Sequence, residues 1–190
     1  MQIAIAKRAL EEPHCGDQAG CWQSGSRIVL CIIDGLGHGK GAEQAAKAAL
    51  GFVGRHHYEP LPEIFACCDE ALRGTRGVTM GIAIVDLEGA TLTYAGIGNT
   101  RAVILGRETV RMTSRYGIVG GGYRILAPET VTFVAGDLAI LYTDGIQEVL
   151  DISHYDDALR ADVGRLAETI LQDWRRETDD AAVLVYRNGR

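Results

Sequence analysis

A run of short strands separated by three-residue turns occupies the middle of this 190-residue chain and limits its fold more than any other feature. Between residues 78 and 112, segments rich in Val, Ile, Leu and Thr alternate with turns that each contain a glycine. Connections this short join antiparallel strands, because a parallel crossover needs about a dozen residues or more. The four predicted strands lie at 78–86, 90–97, 101–105 and 109–112.

Helical segments and further strands flank this run on both sides. Their composition and spacing predict helices rich in Ala, Glu and Lys, and strands rich in aliphatic residues. The predicted segments are a strand at 28–33, helices at 41–53 and 62–72, a strand at 138–143, a helix at 162–174 and a strand at 181–186. Runs of strands flanked by helices indicate an α+β fold in which sheets pack between helical layers.

The composition excludes several functional classes. A net charge of −6 argues against nucleic acid as the main partner, because phosphate backbones attract basic surfaces. The longest strongly apolar segment, near 28–33, has the length of a strand and is far too short to span a membrane, and the N-terminus does not read as a signal peptide. The five cysteines form no Cys-x-x-Cys pair, which fits a reducing compartment. We therefore predict a cytoplasmic, monomeric protein with one compact domain over 1–190 and no nucleic-acid or membrane partner.

Aspartates stand at the ends of several apolar strands. They are Asp34 before Gly35, Asp144 before Gly145, the pair Asp179-Asp180 that precedes the last strand, and Asp17 after Gly16. A single Asp-Gly usually marks only a turn. Several carboxylates that converge repel one another and are costly to desolvate unless a cation lies among them. Mg²⁺ and Mn²⁺ prefer such oxygen-rich surroundings, so the repeated pattern indicates a metal site if the fold brings these strand ends together.

These motifs, taken in order, resemble a known family. They are similar to the metal-dependent protein phosphatases of type 2C, in the bacterial SpoIIE-like branch, over about residues 17–186. The segments that carry the resemblance are 34–39 (DGLGHG), 98–102 (GNTRA), 136–137 (GD) with 141–145 (LYTDG), and 179–183 (DDAAV). The resemblance implies a four-layer α-β-β-α sandwich with two central antiparallel sheets.

The resemblance also implies roles for individual residues. Asp34 would bridge two ions, Mn²⁺ or Mg²⁺, and would thereby take part in catalysis, while the carbonyl of Gly35 would bind one of them. Asp144 and Asp179 would hold the other ion, and Asp17 would complete the site, directly or through water. Two ions held in this way activate a water for attack on phosphorus, so the implied reaction is hydrolysis of phosphoserine or phosphothreonine on another protein.

Two departures from the animal enzymes leave other roles open. Those enzymes carry a histidine directly after the Asp-Gly, where this chain has Leu36. His38 could protonate the leaving group as a catalytic acid, or its glycine-flanked loop could serve geometry alone. The animal enzymes also place a phosphate-binding arginine before the first acidic motif, and 11–15 contains none, so phosphate would rely on the metals with His14 as a candidate helper. Asp180 is a candidate for supporting the metal ligands without binding an ion itself.

The same resemblance implies that the partners are phosphorylated STAS-domain proteins, either of a stressosome scaffold or antagonists of an anti-sigma factor. Two other classes stay open: a catalytically silent signalling module of the same fold, and a nucleotide-binding protein that uses the glycine-rich loop 35–41. Residues 67–73 also fit the Cys-x5-Arg spacing of cysteine phosphatases. We disfavour that chemistry because Cys67 lies among acids in a predicted helix, where we expect a packed core residue.

Overall fold

The computed structural model describes residues 2–10 and 13–189, and its helices and strands follow the predicted order. The elements are β1 Gln2–Arg8, β2 Asp17–Ser24, β3 Arg27–Gly35, α1 Gly39–His56, α2 Leu61–Ala71, β4 Val78–Asp86, β5 Thr91–Ile97, β6 Arg101–Leu105, β7 Thr109–Thr113, β8 Gly117–Ile118, β9 Gly122–Tyr123, β10 Glu129–Thr132, β11 Leu138–Tyr142, α3 Asp157–Ala161, α4 Val163–Trp174 and β12 Ala181–Arg187. Every predicted helix and strand is present with small shifts at its ends. The strands β1, β2 and β8 to β10, and the short helix α3, were not predicted.

Two five-stranded antiparallel sheets form the centre of the molecule. One has the strand order β1-β12-β11-β6-β7 and the other the order β10-β5-β4-β3-β2. The helices α1 and α2 cover the outer face of the second sheet, and α4 covers the outer face of the first. A third apolar layer fills the space between the sheets. The fold is thus an α-β-β-α sandwich, which confirms the predicted α+β class and its four layers.

The alternation of side chains along β3 decides which residues reach the space between the sheets. Val29 and Cys31 pack toward the helices, whereas Leu30 and Ile32 pack toward the opposite sheet. Successive residues of a strand point to opposite faces, so Asp34 lies on the same face as Ile32. The inter-sheet layer therefore ends in a carboxylate at this edge of the sandwich.

The composition of the unpredicted strand β2 does not favour a strand. Its sequence, DQAGCWQS, contains no β-branched residue and includes a glycine, so neither propensity nor alternation identifies a strand. It nevertheless pairs along its whole length with β3, from Asp17 opposite Asp34 to Ser24 opposite Arg27. Pairing with a strongly apolar neighbour, not local preference, keeps this segment extended.

Helix α2 corrects one expectation about the cysteines. Cys67 is an exposed residue of the helix and not a packed core residue, whereas the adjacent Cys68 is fully buried. The prediction that the segment is helical is confirmed, because Cys67 lies inside α2 and Arg73 follows the helix end. Among the residues that the structure describes, no helix is both long and apolar enough to cross a membrane.

Candidate metal centre

Asp17 and Asp34 lie directly opposite each other on the paired strands β2 and β3. Gly16 and Gly35, the residue pair next to them in the ladder, are joined by a 3.1 Å hydrogen bond from the Gly35 amide to the Gly16 carbonyl. The two aspartates therefore occupy a non-hydrogen-bonded position, where opposite Cα atoms are about 4.5 Å apart and side chains are close. Asp17 is almost fully buried, and its Oδ2 accepts a 2.5 Å hydrogen bond from Oγ1 of Thr143, which follows β11 in the other sheet.

Asn99 connects Asp34 to Asp144. Its Nδ2 donates to Oδ2 of Asp144 at 2.6 Å and to Oδ2 of Asp34 at 3.4 Å. Its Oδ1 accepts a 2.5 Å bond from Oγ1 of Thr79, which stands opposite Asp34 on β4. A single amide in the turn between β5 and β6 thus holds carboxylates from both sheets within reach of each other.

Sequence reasoning did not assign Asn99 or Thr79 to the site. The available signal for Asn99 was its place in a glycine-containing turn at the centre of the matched motifs. Nothing in the sequence marks Thr79, because only the register of β3 and β4 places its hydroxyl beside a carboxylate.

Asp179 and Asp180 are adjacent in sequence but have different surroundings. Asp179 is largely exposed. The partial burial of its carboxylate, and next the charge of Asp144, still raise its pKa, whereas the charge of His38 lowers it. Asp180 is buried, and its two carboxylate oxygens accept hydrogen bonds of 2.7 Å from the backbone amides of Leu10 and Gly16. Asp180 thus fixes the chain that leads into Asp17, while Asp179 faces the rim near Asp144.

The two glycines that follow Asp34 and Asp144 are required by close packing. A Cβ on Gly35 would overlap the backbone of Ala42 in α1, and a Cβ on Gly145 would overlap the carbonyl of Asp180. Only glycine lets these segments approach so closely. The Asp-Gly pairs therefore do more than mark turns, because each glycine sets how near its aspartate comes to the neighbouring element.

The electrostatics of the site favour a bound cation. Burial, and next the charge of Asp144, raise the pKa of Asp34 from 3.8 to about 7. Burial, and next the charge of Asp34, raise the pKa of Asp17 well above its ordinary value. Within residues 2–10 and 13–189, none of the salt bridges involves Asp17, Asp34, Asp144 or Asp179. These carboxylates repel one another, and no salt bridge among the described residues offsets that repulsion.

The oxygen donors at this site are of the type that binds a hard divalent cation. Carboxylate oxygens and the nearby Gly35 carbonyl are the ligands that Mg²⁺ and Mn²⁺ prefer. In the described part of the chain, however, no group of three or more His, Cys, Asp or Glu side chains already stands in an arrangement that could hold an ion. The fold pairs Asp17 with Asp34, and Asn99 links Asp34 to Asp144, but these side chains do not form a complete ligand sphere.

The two histidines considered from the sequence both lie near the start of α1. His38 precedes the helix, is exposed, and lies close enough to Asp179 for its charge to lower that pKa. His14 instead has its Nδ1 2.9 Å from Oε2 of Glu43 in α1. His14 is therefore engaged with a carboxylate, which makes it a poor candidate for contacting phosphate.

Comparison with known proteins identifies the family of this chain. The family model described as stage II sporulation protein E (SpoIIE) matches residues 24–188. The phosphoserine phosphatase RsbX of Bacillus subtilis (strain 168) is 27% identical over 137 residues, which are 70% of this chain and 67% of RsbX. A chain solved in work on the bacterial stressosome, as a modular system adapted to control secondary messenger signalling, is 31% identical, with a TM-score of 0.89 and 98% of both chains covered.

A crystal structure of RsbX in complex with magnesium has a TM-score of 0.82 at 23% identity and covers 96% of this chain and 92% of RsbX. At that identity the likeness concerns the fold, which is the α-β-β-α sandwich described above. The family match covers most of the chain, including the segments that carry Asp34, Asn99, Asp144 and Asp179. The chain therefore belongs to the SpoIIE family and is homologous to the phosphoserine phosphatase RsbX.

Proposed function

We propose that residues 1–190 form a single phosphatase domain that uses two divalent ions, Mn²⁺ or Mg²⁺, to hydrolyse phosphoserine or phosphothreonine on a bacterial signalling protein. One observation carries the proposal. At one end of the inter-sheet layer, aspartates from four separate segments lie close enough for the charges of Asp34, Asp144 and Asp179 to raise the pKa values of neighbouring carboxylates, and none of the four has a salt-bridge partner among the described residues. The similar phosphatase RsbX, which was solved with magnesium, supports the choice of a hard divalent cation.

Asp34 is the proposed bridging ligand, and the Gly35 carbonyl, Asp17, Asp144 and Asp179 complete the two coordination spheres. When bound there, the ions would lower the pKa of a shared water, orient it for attack on phosphorus and offset charge on the phosphoryl oxygens. Because no three His, Cys, Asp or Glu side chains among the described residues already form an ion-binding group, small rotations of the ligands would accompany binding. The pairing of Asp17 with Asp34, and the hydrogen bonds from Asn99 to Asp34 and Asp144, support this arrangement.

The surrounding side chains orient these ligands. The Asn99 amide holds one oxygen of Asp144, and the Thr143 hydroxyl holds one oxygen of Asp17, so each carboxylate keeps its other oxygen for a cation. Partners of this kind typically change metal affinity or activity by about 10- to 100-fold when removed. His38, at the exposed rim near Asp179, is the proposed acid that protonates the leaving serine or threonine oxygen.

The proposed substrates are phosphorylated STAS-domain proteins, either of a stressosome scaffold or antagonists of an anti-sigma factor. The support is the 27% identity to a phosphoserine phosphatase and the closer similarity to a chain from the bacterial stressosome. The net charge of −6 is consistent with a protein partner and with ions that supply the positive charge at the site. We further propose that the enzyme acts in the cytoplasm as a monomer.

The test measures release of phosphate from a phosphoserine peptide and from phosphorylated STAS-domain proteins, with the full chain and added Mn²⁺ or Mg²⁺. We expect turnover that disappears with a chelator and returns when metal is added back, with two ions bound per chain in a calorimetric titration. Turnover that survives complete chelation would exclude the metal-dependent mechanism. Tight binding of the phosphoproteins without turnover at any metal concentration would identify a silent signalling module, and calorimetry with nucleotides tests the nucleotide-binding alternative.

A further inference from the structure

Arg76 lies against the start of α1 and has no carboxylate partner among the described residues. It lies in the exposed connection between α2 and β4, and its Nη1 donates to the backbone carbonyl of His38 at 3.3 Å. None of the salt bridges among the described residues includes Arg76. A guanidinium carries five N–H donors, so the bond to one carbonyl leaves most of them available.

Two glycines make room for this side chain at the start of α1. A Cβ on Gly41 would come within 2.7 Å of Nε of Arg76, and a Cβ on Gly37 would come within 3.3 Å of Nη1. The guanidinium therefore rests against the first turn of the helix, in contact with the loop that joins Asp34 to α1. Its position depends on the absence of side chains at both glycines.

The β3–β4 pairing places this cation near the phosphatase site. Asp34 stands opposite Thr79, and the ladder continues past Gly35 with a 3.1 Å bond from the Leu36 amide to the Gly77 carbonyl. Arg76 therefore lies three residues before Thr79, just ahead of β4 and roughly 10 Å along the strand direction from Asp34. An extended arginine side chain together with a phosphoryl group can cover that distance.

We propose that Arg76 binds the phosphoryl oxygens of the substrate at the rim of the metal centre. The inference rests on the proposed function and adds to it a phosphate-binding residue that the segment 11–15 does not provide. The planar guanidinium forms paired, charge-assisted hydrogen bonds with phosphate, which a lysine ammonium cannot reproduce. Because the aspartates of the metal centre repel an anion, a side-chain cation at the loop after Asp34 would help the ions to attract the phosphorylated substrate.

The test measures binding of inorganic phosphate to the Mg²⁺-loaded full chain by calorimetry, together with kcat and KM for a phosphoserine peptide. We expect Arg76→Ala to weaken phosphate binding by about tenfold and to raise KM by a similar factor, with a smaller change in kcat. Arg76→Lys should recover only part of the affinity. Arg73→Ala is the matched control, because Arg73 is a nearby exposed arginine already paired with Glu70.

A second variant moves Arg76 without removing it. Gly41→Ala places a methyl group only 2.7 Å from Nε of Arg76, so the arginine side chain must shift. Because alanine favours the helix, the protein should fold at least as well but bind phosphate less tightly. Gly51→Ala in the same helix is its control, because the added Cβ would meet only Arg55, at an ordinary contact distance of 3.5 Å. We expect no change in phosphate binding for this control.

The outcomes separate the inference from the proposed function. If the unaltered protein is active but folded Arg76→Ala and Gly41→Ala variants bind phosphate as tightly as it does, the role of Arg76 is wrong and the phosphatase assignment stands. If the unaltered protein neither hydrolyses the peptide nor binds phosphate with metal present, the proposed function fails and the inference fails with it. If Arg76→Ala does not fold, Gly41→Ala and Arg76→Lys decide the question.

Discussion

Asp17 and Asp34 face each other at a non-hydrogen-bonded position of the β2–β3 ladder, and both point into the space between the two sheets. Two buried carboxylates in this arrangement destabilise the fold when both are ionised. Burial is the main cause that raises both pKa values, followed by the charge of Asp34 at Asp17 and the charge of Asp144 at Asp34. A divalent cation between them would remove this penalty, which connects the stability of the domain to metal binding.

Replacing the central carboxylate should abolish activity. We expect Asp34→Asn to lower metal-stimulated peptide hydrolysis on the order of a thousandfold, because the proposed bridging ligand for both ions is lost. Asp17→Asn should raise the metal concentration needed for activity by about 10- to 100-fold, since it completes the site at one side. Asp86→Asn is the control, because this exposed carboxylate caps the turn after β4. Activity within a factor of two for Asp34→Asn would contradict the ligand assignment.

Asn99 should control metal affinity although it is not a proposed ligand. Asn99→Ala removes the amide that holds Asp144 and approaches Asp34, so we expect metal affinity to fall by about 10- to 100-fold. A titration of activity against Mn²⁺ and direct calorimetry should shift together, with kcat at saturating metal changing less. Thr130→Ala alters an exposed hydroxyl pair far from this site and should leave both curves in place. An unchanged titration for Asn99→Ala would show that the amide plays no orienting part.

Stability of the chelated protein should depend on pH through the buried acids. The pKa of Asp34 is about 7 in the folded chain, compared with about 4 when unfolded, so the folded state holds this proton more tightly. The resulting stability is fully present below about pH 4 and is lost as the pH rises through about 7. We expect the metal-free protein to melt several degrees lower at pH 8 than at pH 5, since about 1 kcal/mol corresponds to about 2–4 °C at this size.

Two comparisons isolate the contribution of Asp34 to this pH effect. Asp34→Asn should be more stable than the unaltered chain at pH 8 with chelator present, and the difference should shrink toward pH 5. Adding Mg²⁺ at pH 8 should raise the melting temperature of the unaltered chain but scarcely that of the variant. Equal melting temperatures for the two proteins at both pH values would show that ionisation of Asp34 does not destabilise the fold.

The glycine after Asp144 should be essential for folding. A Cβ on Gly145 would overlap the Asp180 carbonyl, so we expect Gly145→Ala to reduce the free energy of unfolding by about 3 kcal/mol or more. Gly189→Ala is the control, because an added Cβ there meets nothing within 4 Å. Denaturant titrations of both variants measure the effect. A Gly145→Ala protein of normal stability would mean that the strand ends can separate without cost.

Much of the fold followed from local patterns. The strands β4 and β6 were predicted with their observed bounds, because short turns and dense aliphatic residues mark hairpins clearly. Helix α1 was predicted from its alanine, glutamate and lysine content, and α4 from its apolar spacing. Helix α2 was predicted with Pro62 near its first turn. In contrast, β2 was missed, because its extended shape comes from pairing with β3 and not from its own residues.

The sequence by itself determined which chemistry was available: aspartates at strand ends, glycines beside them, and an order of motifs that resembles a phosphatase family. Only the tertiary structure decided how those residues meet. It placed Asp17 opposite Asp34 and positioned Asn99 and Thr79 beside the carboxylates. It buried Asp180 and left Asp179 exposed. It also brought Arg76 to the loop after Asp34. The physical reason is that these contacts join residues far apart in the chain, so strand register and sheet packing fix them and no local preference can.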